Sequence, residues 1–484
     1  MKTKRSPIDQ VLLLTIIIAI LSSNLLAASA DPPVQNLKPI PVDIQPLNPP
    51  FPMPSLQRPQ FPDRNFDIRD YGARDNGTTM NTAAFKKAIA ACSAAGGGKV
   101  IVPPGKWLTG PIHLKSNINL HLQQDAQLHF SHDPHDYLPV VFTRWAGFEI
   151  YNYSPLIYAR DCTNIAITGP GQIFGHGPPW WDWKNVQSQT ARRIYTEQVL
   201  KNVPPEKRIY GTPAAGLRPQ LISPINCKHV LLEGFTIATP GPFWTFDLIY
   251  CDNVIVRGLN LHTTGGPNTD GINIDSSRNV LIEHCYLNTG DDAVALKSGM
   301  NEDGRRVARP SENVVIRHIT AYSCHGGIVI GSETSGGIRN IFAHDCNFVG
   351  ADRGIRLKSN ASRGGVIENL LFQDIKMENI KYEALCINTN YTAYMSSING
   401  KAYPIFRNIT FKNITCNGAK AAATIEGTSQ EPLTNITLNN ISIKADRGMS
   451  FTWVTGLKLQ NINVTTTTGK PLVSRNCQDI VNTR

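Results

Sequence analysis

A short phrase of alternating polar and apolar positions recurs along the chain from residue 160 onward. In each copy a polar residue, most often Asn, precedes Val, Ile and Leu at alternate positions. Alternation of this kind in β-branched residues predicts a strand, and a phrase repeated every 20 to 50 residues, roughly, is typical of a solenoid. The anchor residues that begin the phrases are Asn164, His229, Asn253, Asn279, Asn313, Asn340, Asn369, Asn408 and Asn435.

The spacing of the anchors predicts the fold class. From Asn253 onward, successive anchors lie 26, 34, 27, 29, 39 and 27 residues apart. We find no amphipathic helix between the phrases, which argues against leucine-rich and helical repeats. We therefore predict an all-β parallel β-helix. Each turn of such a solenoid buries its inner side chains by stacking on its neighbours, so residues 63–484 should form one cooperative domain.

One stretch of the mature chain has a helical pattern, from Thr82 to Ala95. Phe85, Ala88, Ile89 and Cys92 recur at spacings of three and four, and a run of three glycines follows. We interpret the stretch as a short N-terminal helix that caps the open end of the solenoid. An ordinary surface helix is the alternative.

Residues 1–30 have the layout of a secretory signal peptide. Three cations precede an apolar run from Val11 to Leu21, and small residues follow up to Ala30, where we expect cleavage. A retained signal anchor is the alternative, although the run is short for a membrane span. No later segment has about 18 uninterrupted apolar residues. We therefore expect no stable membrane span after cleavage and a protein secreted to the extracellular space or the cell wall.

Residues 31–62 contain eleven prolines, a density that no helix or central strand tolerates. We predict an extended, mobile leader there. Sequons for N-glycosylation agree with secretion and predict a glycoprotein. They begin at Asn76, Asn152, Asn360, Asn390, Asn408, Asn413, Asn435, Asn440 and Asn463.

The ten cysteines permit disulfides in an oxidising compartment but fix no pairing. Cys162, Cys227 and Cys251 occupy the same position of the repeat. That recurrence favours a stack of thiols in the interior over a bridge. No pair or cluster of cysteine and histidine has zinc spacing.

Composition adds a constraint on the partner. With 17% charged and 41% apolar residues, the 484-residue chain is no disordered polyelectrolyte. Its formal net charge of +10 falls to +8 when three cations and one anion leave with the signal peptide. A basic protein favours an acidic partner: nucleic acid, an anionic membrane or a polyanionic sugar. Nucleic acid is disfavoured because no run of Lys and Arg contains interleaved aromatic residues.

Ionisable residues fall at a similar phase of four consecutive repeats. They lie between 12 and 18 residues after the preceding anchor and are Asp270, Asp291, Asp292, His325, Arg356 and Lys358. Because adjacent turns stack at about 4.8 Å, we expect one polar patch. Paired carboxylates can hydrolyse a glycosidic bond, and crowding raises at least one carboxyl pKa, as a general acid requires. The two cations share a strand face and could hold an anionic group.

Four motifs together resemble glycoside hydrolase family 28, the polygalacturonases. They are Asn268-Thr269-Asp270-Gly271, Gly290-Asp291-Asp292, His325-Gly326 and Arg356-Leu357-Lys358, and the resemblance covers roughly residues 64–470. It implies a right-handed β-helix that hydrolyses α-1,4 bonds between galacturonates in pectin with inversion. It also implies no metal and no cofactor.

The resemblance implies a role for each matching residue. Asp291 would be the general acid, Asp270 and Asp292 would activate water, and His325 would tune the acid. Substrate binding would fall to Asn268, Arg356, Lys358 and, by a looser match, Tyr391. Mild departures from the family pattern are Ala293, Cys324 and Leu357.

Further segments resemble the exo-acting branch of the family. They are residues 299–306, 331–337 and 352–354. We expect Met300–Pro310 to close one end of the groove, with Asp303, Arg305, Arg306 and Arg309 beside it. Trp180, Trp181 and Trp183 either stack on sugar or pack at a loop base.

Several functions compete with polygalacturonate hydrolysis. A rhamnogalacturonan or xylogalacturonan hydrolase would keep the same fold, and a pectate lyase would need calcium-binding carboxylates. A non-catalytic solenoid that binds the cell wall would have lost an aspartate, yet all three are present. Carboxylates on adjacent turns could also lie closer than the ~6.5–9.5 Å usual for inverting enzymes. We expect an acidic polysaccharide as the partner and a monomer.

Overall fold

The computed structural model describes residues 40–392 and 401–483. The chain forms two compact units, Met1–Pro46 and Leu47–Arg484, and every helix and strand given below lies in the second. The predicted signal peptide, residues 1–30, and residues 31–39 of the leader lie outside the described residues. In the part of the chain that is described, no helix has the length and apolar character needed to cross a membrane.

Three parallel sheets surround one apolar core, and together they form the predicted right-handed parallel β-helix. Each turn gives one strand to each sheet. The site sheet, named for the residues it carries, contains β4 (Ile112–His113), β9 (Ile157–Arg160), β12 (Ile222–Ile225), β15 (Phe246–Ile249), β18 (Ile272–Asp275), β21 (Val294–Lys297), β24 (Ile328–Ile330), β26 (Ile355–Lys358), β30 (Arg447–Thr452) and β32 (Leu472–Arg475).

The anchor sheet follows the site sheet along each turn, and the third sheet completes the turn. The anchor sheet contains β1 (Asn65–Asp67), β2 (Gly98–Val102), β5 (Ile118–Leu122), β10 (Thr163–Thr168), β13 (Lys228–Glu233), β16 (Asp252–Arg257), β19 (Arg278–Glu283), β22 (Ser311–Arg317) and β33 (Val481–Thr483). The third sheet contains β3 (Gly105–Thr109), β6 (Ala126–Phe130), β11 (Gln172–Phe174), β14 (Thr236–Thr239), β17 (Asn260–Thr263), β20 (Tyr286–Thr289) and β23 (Thr320–Tyr322).

Longer strands bend from the anchor sheet into the third sheet. They are β25 (Ile338–Val349), β27 (Val366–Asn388), β28 (Ile405–Glu426), β29 (Leu433–Ala445) and β31 (Val454–Thr466). Two of them, β27 and β28, continue into the site sheet. An antiparallel hairpin, β7 (Val141–Trp145) and β8 (Phe148–Asn152), stands apart from the solenoid sheets.

The anchor residues turn the chain into the anchor sheet. Asn279 and Asn313 each have φ 55°, in the left-handed region that Asn tolerates better than most residues. Their side chains form a ladder between turns: Asn313 Nδ2 donates to Asn279 Oδ1 at 3.1 Å, and Asn340 Nδ2 donates to Asn313 Oδ1 at 3.0 Å. Backbone conformation and the ladder together explain why Asn recurs at this position.

The apolar residues after the anchors stack in register. Val254 pairs with Val280, and Val280 pairs with Val314 on the next turn. All three side chains are fully buried. The strand register that the recurring phrase predicted is therefore confirmed.

The ladder also accounts for several sequons. Asn408, Asn435 and Asn440 donate their side-chain amides to Asn on the preceding turn. Two other sequon residues, Asn152 and Asn360, are buried and donate to backbone carbonyl oxygens. Much of the sequon count thus follows from the repeat, which weakens it as evidence for glycosylation.

The cysteines line the interior as predicted. All ten lie within the described residues, where they are free thiols, and nine of them are buried. Cys227 and Cys251 lie on successive turns, and the Sγ of each contacts the carbonyl oxygen two residues before it at 3.3 Å. The recurring cysteine is a packing residue of the core.

The capping helix is α1 (Thr82–Ala94), and it buries Phe85, Ala88, Ile89 and Cys92 as predicted. The expectation that no other helix interrupts the repeats is wrong, because α2 (Lys184–Arg193) and α3 (Asn301–Val307) lie between phrases. Only two residues of α2 are apolar, Val186 and Ala191, so it has no periodic apolar face to detect. Short 3₁₀ or π segments are Ile68–Tyr71, Pro134–Tyr137, Pro178–Trp183, Ile194–Val199, Pro205–Lys207 and Pro213–Ala215.

The end of the proline-rich leader contacts the solenoid. Residues 47–62 contain no helix or strand. Gln57 N donates to Asn253 Oδ1 at 2.8 Å, and Arg58 forms an ion pair with Glu233 at 2.5 Å. These contacts place the last leader residues against the anchor sheet.

Candidate active site

The candidate residues lie at one edge of the site sheet. Asp270 lies two residues before β18, Asp292 two residues before β21, and His325 three residues before β24. Because β18, β21, β24 and β26 are parallel neighbours, these residues lie on successive turns. Lys358 is the last residue of β26 and completes the group.

Three carboxylates form the centre of the site. Asp270, Asp291 and Asp292 each offer an oxygen, and these oxygens lie within 4.8 Å of one another. Asp270 and Asp292 are almost fully buried, whereas the Asp291 side chain is 17% exposed. Gly290 allows this close approach, because a methyl group there would clash with Thr269 and with the Gly266 carbonyl oxygen.

Crowding separates the pKa values of the carboxyls. Burial, and then the charge of Asp291, raise the pKa of Asp270 well above its ordinary value. Burial also acts to raise the pKa of Asp291, but the hydrogen bond and charge of His325 and the ammonium of Lys358 outweigh it and lower that pKa to about 2. The unliganded site therefore holds its proton on Asp270.

His325 connects two carboxylates at the surface. Its Nδ1 lies 3.2 Å from Asp291 Oδ1, and its Nε2 lies 3.8 Å from Asp352 Oδ2. The hydrogen bond with Asp291 raises the pKa of the imidazole despite partial burial. A protonated His325 can therefore stabilise Asp291 in its ionised form.

Two lysines neutralise the two deeper carboxylates. Lys358 Nζ donates to Asp292 Oδ2 at 2.8 Å, and Lys297 Nζ lies 3.5 Å from Asp270 Oδ2. Three clustered carboxylates would also suit a metal ion, but these ammonium groups already supply positive charge at the oxygens. The arrangement therefore explains how the carboxylates coexist without assigning them a cation.

A cavity of about 270 Å³ opens over the carboxylates. Hairpin β7–β8 contributes Trp145 to its lining, and α2 contributes Lys184. The remaining lining residues are Ala146, Gln187, Ser188, Phe243, Trp244, Asn268, Asp270, Asp291, Asp292, Lys297, Ser332, Glu333, Lys358 and Tyr391. A buried floor of acids and lysines thus meets aromatic and polar walls, which suits a polar sugar.

The cavity brings together most of the sequence-predicted residues. Tyr391 stands over both cations, with its ring centre 5.3 Å from Arg356 Cζ and 5.6 Å from Lys358 Nζ. Arg356 lies behind that ring and His325 behind Asp291, and neither lines the cavity itself. The side chains of Arg356 and Lys358 face outward from β26, as the alternation predicted.

The model of the family described as glycosyl hydrolases family 28 matches residues 92–468. The chain belongs to this family. It is therefore a glycosidase of the polygalacturonase type. A probable polygalacturonase of Vitis vinifera is 32% identical over 386 residues, which cover 77% of this chain and 73% of that protein.

Solved structures of family 28 enzymes share the fold. An exopolygalacturonase from Thermotoga maritima superposes with a TM-score of 0.77 at 39% identity, covering 81% of this chain and 92% of that one. A Yersinia enterocolitica family 28 exopolygalacturonase gives a TM-score of 0.75 at 25% identity, with 87% and 79% covered. Both neighbours share the right-handed β-helix with this family 28 chain.

Sequence reasoning missed two charged residues of this family 28 site. Lys297 lies 18 residues after anchor Asn279, as Lys358 lies 18 after Asn340, so the repeat phase could have identified it. Glu333, which lies 3.3 Å from Lys297, follows β24 by three residues. Trp145 belongs to a hairpin outside the repeat, where no comparable signal exists.

The expected wall of Met300–Pro310 is wrong in its details. Arg305 donates to the carbonyl oxygens of Ser362 and Arg363, and Arg306 pairs with Asp303. Neither arginine lines the cavity. The segment forms α3, which supports the hairpin that does line the cavity: Asp303 accepts a hydrogen bond from Glu149 N at 2.9 Å.

The aromatic walls also differ from expectation. Trp180 is buried and packs edge-on against Tyr137 and Trp183, so it lies at a loop base. The aromatic residues that line the cavity are Trp145, Phe243, Trp244 and Tyr391.

Asn268 is held rigidly beside the acid. Its Oδ1 accepts from Arg218 Nη2 at 2.9 Å, and its Nδ2 lies 3.4 Å from Asp291 Oδ2. Arg218 is fully buried and also donates to Gln187 Oε1 of α2. Helix α2 is thus tied directly to the carboxylate cluster.

Proposed function

We propose that the protein is a secreted hydrolase that cleaves α-1,4-galacturonosidic bonds of pectin by inverting, single-displacement catalysis. The carboxylate cluster of Asp270, Asp291 and Asp292 beside Lys358 carries the proposal. It combines acid and base groups with a cation for a uronate carboxylate. Family membership and the names of the relatives, which are polygalacturonases and exopolygalacturonases, support it.

The proposed reaction moves one proton to the leaving group and takes one from water. Asp291 gives its proton to the glycosidic oxygen while water attacks the anomeric carbon from the opposite side. The proton of the water passes to Asp270 or Asp292 as the bond to the leaving sugar breaks. Asp292 Oδ1 suits this role, because it is buried and accepts no hydrogen bond from the described residues.

Substrate binding would prepare the acid. In the free site Asp270 holds the proton, while Asp291, despite its burial, has a lowered pKa because of His325 and Lys358. A substrate carboxylate that pairs with Lys358 would offset its charge and raise the pKa of Asp291. Since the carboxylate oxygens lie within 4.8 Å, one proton transfer would then leave Asp291 as acid and Asp270 as base.

The substrate class is tested by brief digestion of polygalacturonate, rhamnogalacturonan and xylogalacturonan. We expect new reducing ends from polygalacturonate and few from the other two polymers. Preferential cleavage of either branched polymer would replace the proposed substrate. Unsaturated products that absorb in the ultraviolet would indicate a lyase, and binding without cleavage would indicate a non-catalytic solenoid.

We further propose exo-action, with release from a chain end. Hairpin β7–β8 and α2 both line the cavity, so the substrate meets a pocket with walls. Lys184 of α2 has no anionic partner within 4.0 Å among the described residues, which leaves its ammonium available for a terminal carboxylate. Two solved relatives are exopolygalacturonases.

Exo-action predicts that polygalacturonate solutions lose viscosity slowly while reducing ends accumulate. The reason is that removal of terminal units barely shortens each chain. Viscosity and reducing ends are measured in the same sample, with an endo-acting polygalacturonase as the reference. A steep early fall in viscosity with oligomers of mixed length would refute exo-action.

Secretion, a cell-wall location and a monomeric state complete the proposal. The signal-peptide pattern of residues 1–30 supports secretion. N-terminal sequencing of protein from the medium should give a chain that starts at Asp31. Light scattering should give the mass of one chain.

A further inference from the structure

A second ion-pair system lies beneath the cavity. Lys297 Nζ lies 3.5 Å from Asp270 Oδ2 and 3.3 Å from Glu333 Oε2. Its ammonium also stands 4.4 Å from the centre of the Trp244 ring. Lys297 is 4% exposed and Glu333 7%, so water screens neither charge effectively.

Lys297 therefore has two carboxylates for one ammonium. Lys358 donates to Asp292 at 2.8 Å, which is a closer contact than either oxygen makes with Lys297. Asp270 thus receives only part of one positive charge, because Glu333 draws on the same ammonium. This explains why the pKa of the buried Asp270 is raised although a lysine lies beside it.

We propose that Lys297 is a positioning residue whose ammonium is divided between Asp270 and Glu333, and that this division sets how strongly Asp270 accepts the proton of the attacking water. The inference rests on the proposed hydrolase function and deepens it. A carboxylate fully paired with lysine would be a poor base, since the ion pair favours its ionised form. Glu333 keeps the base effective without touching the reacting atoms.

Other charged groups surround this pair and stay unchanged in the test. Arg144 of the hairpin pairs with Asp275 at 2.9 Å, on the strand next to Lys297. The further charged groups that act on Lys297, Asp270 or Glu333 are Arg218, Asp247, Asp291, Asp292, Lys358 and Arg363.

Two variants should shift the acidic limb of kcat/KM on polygalacturonate in opposite directions. The base must be ionised, so activity falls as pH drops through its pKa. Glu333→Gln gives Lys297 wholly to Asp270 and should move the limb to lower pH by about one unit, with a lower plateau rate. Lys297→Met removes the cation and should move it to higher pH by about one unit.

Glu368→Gln is the matched control, because it removes a carboxylate from a more exposed ion pair with Arg407 on the anchor sheet. Its limb should coincide with that of the wild type. Unmoved limbs, or shifts in the same direction, in active variants would overturn the role of Lys297. A wild type that forms no product from polygalacturonate would instead overturn the proposed function.

Melting curves supply a readout that needs no activity. A carboxyl whose pKa is raised on folding loses stability as pH rises through that pKa. Above a pH of about 5.5, where Glu333 is ionised in both states, this loss should be smaller in Glu333→Gln than in the wild type. It should be larger in Lys297→Met, and identical slopes in all three proteins would overturn the proposal.

Discussion

Asp291→Asn should lower kcat on polygalacturonate by about 10²–10⁴-fold, the usual contribution of a general acid. The amide has nearly the same shape as the carboxyl but cannot protonate the leaving oxygen. Asp291 is also the most exposed of the three aspartates, and its side chain touches His325 and Asn268, so substrate can reach it. We expect KM and the melting temperature to change little.

Asp125→Asn is the control for this variant. Asp125 is exposed, lies on the opposite side of the anchor sheet in sequence order, and has φ 64°, which Asn adopts readily. Its activity should equal that of the wild type. If Asp291→Asn kept near wild-type turnover, Asp291 would not be the acid, and the raised pKa of Asp270 would make that residue the next candidate.

Lys358→Ala should weaken both binding and folding. The ammonium is buried and forms the 2.8 Å ion pair with Asp292, so its removal strands a buried carboxylate at a cost of about 3–5 kcal/mol of folding stability. It also removes the cation proposed to hold the galacturonate carboxylate. Affinity for trigalacturonate, measured by calorimetry, should fall markedly.

Arg356→Ala separates binding from stability. Arg356 contacts the Tyr391 ring rather than a catalytic carboxylate, so its loss should raise the Kd for trigalacturonate by about 10–100-fold with a smaller change in melting temperature. Added salt should weaken binding by the wild type. Lys412→Ala removes one exposed charge from β28 as a control. Equal affinity in wild type, Lys358→Ala and Arg356→Ala would refute the carboxylate subsite.

The repeat explains which parts of the site could be predicted from sequence. Asp270, Asp292 and Lys358 lie at similar distances from successive anchors, and parallel stacking brings such positions together. The same rule reaches Lys297 once its spacing from Asn279 is compared with that of Lys358. Anchors in the left-handed conformation fix this phase from turn to turn.

The walls of the cavity could not be predicted in the same way. Trp145 and Lys184 belong to the hairpin and α2, which interrupt the repeat and have no phase relative to an anchor. Arg305 and Arg306 looked available in sequence because their partners, such as Glu302 and Asp303, give no sign of pairing until the helix forms. Long-range pairing of charges is a property of the folded chain.

The stereochemistry of the product tests the central claim most directly. The carboxylate oxygens lie within 4.8 Å, closer than the ~6.5–9.5 Å usual for inverting glycosidases and nearer the ~5–5.5 Å of retaining ones. Proton NMR of galacturonate, recorded before mutarotation with excess enzyme, distinguishes the two. The account predicts that the β anomer appears first from the α-linked polymer. An initial excess of the α anomer would show retention and contradict a mechanism in which Asp270 and Asp292 activate water.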